Sequence, residues 1–196
     1  MILITEITKS VLNLDKLIYS SLSEQLTTKQ IEKFFEIQQK WKLLGSAFIP
    51  IFLLLKITII SSILYVGTFF FSKKELSYKI LRDIVINIEF IFLLMPVCKI
   101  IWFYFFKTNY TLEDIQYFYP LSALNIVGYE GLEPWFIYPF QTLNLFELTY
   151  WLILAYYIGK ATQTNMDNGL KIVASSYGSA LLLWVVTIMF FTLNYS

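Results

Sequence analysis

AFIPIFLLLKITIISSILYVGTFFF, residues 47–71, carries a single charged side chain, Lys56. A hydrocarbon core of ~30 Å needs about 20 helical residues at 1.5 Å each, and this stretch is long enough. Pro50 falls in its first turn, where the missing N–H costs least. Phe69, Phe70 and Phe71, followed by Ser72, Lys73 and Lys74, mark the far end, since aromatic rings favour the headgroup level. The fold class follows: an all-α integral membrane protein.

The rest of the chain extends that reading. Hydrophobic residues make up 57% of the 196 and charged residues 15%, against roughly 25% in an ordinary soluble domain. So little polar surface cannot cover so much apolar surface in water. A second span is expected over residues 84–106, containing Glu89, Pro96 and Lys99 and closing on Trp102–Phe106. A third is expected over 141–159 and a fourth over 170–193. Asn165–Gly169 forms the turn between these two, with Asp167 placed to cap the last helix. Residues 107–140, broken by Pro120, Gly128, Gly131, Pro134 and Pro139, are expected to form an interfacial or re-entrant segment. A fifth, tilted span over 115–127 is the alternative. Thr111 with Asp114 has the spacing of a capping box.

Residues 1–46 form a separate amphipathic helical region. Leu3, Ile7, Val11, Leu14, Ile18 and Leu22 repeat at helical spacing, and a second helix is expected from a Thr27/Gln30 cap through Leu44. Both carry charges, so they are expected to lie on the membrane or pack against the bundle. Met1–Ser10 lacks the pattern of a cleaved leader. The lysine distribution is expected to leave the N-terminus in the cytoplasm, with the chain in a bacterial inner membrane.

Composition also limits chemistry. Histidine is absent, Cys98 is the only cysteine, and the net charge is +1. The usual general base, the usual metal ligand and any multi-thiolate site are therefore missing. No phosphate loop or nucleophile–base motif occurs, so no enzyme activity, cofactor, metal or nucleic-acid partner is expected.

The charges inside the spans are the distinctive feature. At 1.5 Å per residue from the N-terminal side, Lys56 lies roughly 14 Å deep, Lys99 ~10 Å and Glu147 ~9 Å. Glu89 is expected to lie apart, nearer the opposite surface. A charge in a span costs about 3 kcal/mol, which pairing offsets. Lys56, Lys99, Glu147 and Asn144 thus form a candidate polar cluster, with Glu147 pairing to Lys99 or Lys56. It can staple helices, dock a partner subunit or line a transport path. Ala174, Ser175, Gly178 and Ser179 form a candidate helix-packing face, small residues spaced so that backbones can approach.

The run Asn168-Gly169-Leu170-Lys171-Ile172-Val173-Ala174-Ser175-Ser176-Tyr177-Gly178, after a span ending Tyr157-Ile158-Gly159-Lys160, resembles the last two helices of bacterial Yip1-type membrane proteins. The likeness covers residues 141–193. It implies a bundle of about five spans but no specific chemistry and no functional residue. The function expected is a scaffold or accessory subunit bound to other membrane proteins within the lipid bilayer, and the alternative is a small transporter or channel component.

Overall fold

A computed structural model describes residues 2–195. In chain order the helices are α1 (Ile2–Val11), α2 (Leu14–Ser23), α3 (Thr28–Phe71), α4 (Tyr78–Ile88), α5 (Leu94–Phe105), α6 (Leu112–Tyr117), α7 (Leu124–Val127), α8 (Pro134–Thr142), α9 (Leu145–Ala161), α10 (Met166–Val173) and α11 (Ser179–Tyr195). A 3-10 turn, Glu89–Leu93, joins α4 to α5, and a π-helical turn, Ala174–Gly178, joins α10 to α11. The described residues contain no strand beyond an isolated bridge between Ser122 and Asn144.

Two compact units result. The first comprises the residues up to Leu54 with Leu93–Phe118, and the second Leu55–Phe92 with those from Tyr119 onward.

In the first unit, the apolar period of residues 3–22 gives two helices rather than one. Asn13 adopts left-handed geometry, φ 48° and ψ 41°, which asparagine tolerates better than most residues. The break shifts the buried face. Leu12, fully buried, packs with Phe103 and Ile115, flanked by Leu14, Leu17, Tyr110 and Phe118. The expected face residues Leu3, Ile7 and Val11 are exposed. The Tyr110 hydroxyl donates to the Leu12 carbonyl at 3.4 Å, and Lys42 pairs with Glu6 at 3.0 Å. Thr111 and Asp114 complete the capping box of α6.

Helix α3 merges two expected elements. The Gln30 side chain accepts from the Thr27 N–H at 2.9 Å, half of the expected box, and the helix then runs 44 residues without a stop. Gly45 could have ended it only by turning left-handed, and it stays helical. Pro50 consequently sits in the helix interior, where it removes one backbone hydrogen bond.

Among the described residues, three helical stretches are long and apolar enough to cross a membrane: Thr28–Phe71, Tyr78–Phe105 and Met166–Tyr195. The second starts six residues before the expected boundary. Leu81, Val85 and Ile88 are buried on one face of α4, so Lys79, Arg82 and Asp83 occupy helix rather than a linker. Helix α9 has 17 residues. Residues 115–127 are not one helix, because α6 ends at Tyr117 and α7 has only four residues.

The second unit is centred on α9. Tyr150, Leu154, Ala155 and Ile158 from α9 are buried, as are Leu81 and Val85 from α4 and Ile172 and Val173 from α10. Helices α9 and α10 touch backbone to backbone, and a Cβ on Gly169 would overlap the Ala155 carbonyl. The Asn165 side chain, not Asp167, caps α10 by accepting from the Asn168 N–H at 3.0 Å. Helix α11 buries no residue and exposes Leu182, Leu183, Trp184, Phe190 and Phe191. Such a surface suits lipid and is unfavourable in water.

Candidate functional site

The polar residues of the second unit gather where its regular helices are interrupted. Glu89 opens the 3-10 turn, and Tyr177 lies in the π turn. Each irregular turn alters the rotation of the side chains that follow it, and π turns often mark functional positions.

Lys56 forms an ion pair with Glu89, and its ammonium lies 4.0 Å from the centroid of the Phe92 ring. Cation–π attraction of this kind is worth about 1–2 kcal/mol once water is excluded. The Glu89 side chain is 10% exposed and that of Lys56 42%. The pairing corrects the sequence reading, which placed Glu89 near the opposite surface. With α4 starting at Tyr78, Glu89 sits ~16 Å along its helix rather than close to the end. The short connection between α3 and α4 then brings it level with Lys56.

Glu147 lies in the first turn of α9. Asn144 caps that helix, its side chain accepting from the Glu147 N–H at 2.8 Å and donating to the carbonyls of Gln141 and Thr142. Two short backbone bonds, Ala123 N–H to Leu143 at 2.8 Å and Leu145 N–H to Leu121 at 3.1 Å, fix the approach to the cap. Glu147 Oε1 accepts from Trp151 Nε1 at 3.0 Å and from the Tyr177 hydroxyl at 2.7 Å. Within the second unit the expected pairing of Glu147 with Lys56 is replaced: Lys56 is taken by Glu89, and neutral donors occupy the Glu147 carboxylate. Lys56 and Glu89 remain within electrostatic reach of Glu147.

Two buried polar atoms in this cluster have no hydrogen-bond partner: Glu89 Oε2 and the Tyr150 hydroxyl. The Tyr150 ring packs against Phe92 at 5.0 Å and Tyr177 at 5.6 Å between centroids. Buried polar atoms are usually satisfied, so each orphan calls for an explanation.

The remaining candidates are placed elsewhere. Lys99 lies on α5 in the first unit. Of the expected packing face, only Gly178 is turned inward, against Trp151, while Ala174, Ser175 and Ser179 are exposed. The buried side of that stretch is Ile172, Val173, Ser176, Tyr177 and Gly178, with Ser176 against Gly67. The π turn shifts the register from the one regular helical spacing predicts.

Trp151, Tyr150 and Tyr177 were not legible as site residues. Trp151 had one available signal, its i+4 spacing from Glu147, which puts an indole N–H beside a carboxylate on the same helix face. Comparisons with protein-family models, with curated proteins and with solved structures each returned no match for this chain.

Proposed function

We propose that this chain is a non-enzymatic integral membrane protein that associates laterally with other membrane-protein subunits as a scaffold or accessory component. In this reading α9 serves as a fourth span, residues 107–140 form the interfacial or re-entrant segment, and the N-terminus is in the cytoplasm of a bacterial cell. The likeness of residues 141–193 to Yip1-type proteins belongs to the same proposal and rests on sequence.

The observation that supports it best is Lys56. Its side chain is 42% exposed within an apolar span, while its partner Glu89 is almost fully enclosed. A charged side chain left partly exposed to hydrocarbon bears part of the roughly 3 kcal/mol that a charge within a span costs, and a polar face on a neighbouring subunit relieves that cost. The exposed Ala174, Ser175 and Ser179 supply a second close-approach surface.

A photo-crosslinking residue at exposed Ile59, one turn from Lys56, tests the proposal in intact membranes. The expected product is a discrete adduct with another polypeptide, weakened by Lys56→Met. Lipid adducts alone would count against lateral association. The alternative, a small transporter or channel component, is favoured by the orphaned oxygen of Glu89.

A further inference from the structure

The polar cluster of the second unit does not balance its own charge. Lys56 contributes one positive charge, and Glu89 and Glu147 contribute two negative charges. The other polar groups facing them are uncharged donors: Trp151 and Tyr177 on Glu147, Tyr150 against Phe92, and Tyr119, which is within electrostatic reach of Glu147 and Tyr138. Fully ionised, the group would leave one net negative charge inside an apolar bundle, an arrangement that low-polarity surroundings strongly oppose.

The unsatisfied atoms show where compensation fits. Glu89 Oε2 is buried in a side chain only 10% exposed, and its other oxygen is occupied by Lys56. The hydroxyl of Tyr150, a residue with no exposure, has no partner either and lies within electrostatic reach of both carboxylates. An unpartnered acceptor oxygen and an unpartnered hydroxyl thus occur in a group whose described second-unit residues carry one more negative than positive charge. We propose that this cluster is a buried binding site for one exchangeable monovalent cation, a proton or a sodium ion, held by Glu89 Oε2 and the Tyr150 hydroxyl with Glu147 sharing its charge. A proton would convert one carboxylate to a neutral acid that can donate a hydrogen bond. A sodium ion would be ligated by the same oxygens. The inference does not depend on lateral association, and either can fail alone.

Infrared difference spectroscopy on the purified full chain in detergent distinguishes the cases, because a protonated carboxyl has a carbonyl stretch that a carboxylate lacks. If the cation is a proton, the band is present near neutral pH, disappears at high pH and ignores sodium. If it is sodium, adding sodium at constant pH removes the protonated band or shifts the carboxylate bands, whereas added potassium or choline does not. Glu89→Gln and Glu147→Gln should each abolish or relocate the signal. Should either variant fail to fold, Glu89→Asp and Glu147→Asp retain the acid and should move the band in frequency. A wild-type protein with no protonated-carboxyl band at any pH and no response to sodium would overturn the proposal. So would a response that survives both glutamine substitutions unchanged.

Discussion

Replacing Lys56 with methionine should destabilise the protein far more than replacing its partner. Methionine retains most of the stem but removes the ammonium, leaving Glu89 with neither oxygen hydrogen-bonded, since Oε2 has no partner to begin with. Removing one member of a buried ion pair costs about 3–5 kcal/mol. Because Lys56 is 42% exposed, we take roughly 2–3 kcal/mol. Glu89→Gln leaves the ammonium over Phe92 and within electrostatic reach of Glu147, so one positive and one negative charge remain, for a cost of about 1 kcal/mol. In the double variant neither member of the Lys56–Glu89 pair is left without the other, and ~1–2 kcal/mol should be recovered relative to the sum of the single changes. Reversible unfolding in mixed detergent micelles, followed by far-UV circular dichroism, gives all four free energies. Equal single-variant costs that add to within about 0.5 kcal/mol would refute the asymmetry and the pairing behind it.

Gly169→Ala should cost about 2–3 kcal/mol in the same unfolding assay, because a methyl group there meets the Ala155 carbonyl and α9 and α10 must separate. The helix propensity gained, ~1 kcal/mol, does not offset it. Thr111→Ala removes one half of the capping box and should cost about 1 kcal/mol, visible as faster amide exchange across Leu112–Tyr117. The Lys107 side chain, 2.7 Å from Asp114, holds that carboxyl below the usual carboxylate range, with the Thr111 backbone N–H adding to the effect. A folded value below the unfolded one gives stability that is complete above about pH 4 and lost as pH falls through the folded value. Acid titration of α6 by NMR should show that loss, and Lys107→Met should move it to higher pH. Trp151→Phe should leave Tyr177 as the only side chain donating to Glu147. In wild-type protein, ultraviolet resonance Raman spectra should report two hydrogen-bonded indoles, Trp151 and Trp184, of which Glu147→Gln weakens only the first.

The helical membrane-spanning class of this chain was readable because it rests on length and composition, as in residues 47–71. Positions that depend on where a helix begins or slips were not. Helix α4 begins at Tyr78 because its charges share a face opposite Leu81, Val85 and Ile88, and that shift moves Glu89 from the rim to Lys56. The π turn at Ala174–Gly178 adds a residue to one turn and brings Tyr177 to Glu147, in place of the small-residue face a regular spacing implies. Depth counting assumed continuous helices and clean boundaries, so it grouped the right kinds of side chain but missed Glu89 as the partner of Lys56. Asn144 illustrates the limit differently: a polar residue at the start of an apolar helix can be a cap or a ligand, and only backbone geometry distinguishes them.

Helix α3, with 44 residues, measures about 66 Å along its backbone, more than twice the thickness of a hydrocarbon core. Its one missing backbone hydrogen bond, opposite Pro50, lies about where the charged outer portion gives way to the apolar inner one. Pro50 is thus the point at which this helix gives most readily, and its charged and apolar portions need not share one axis.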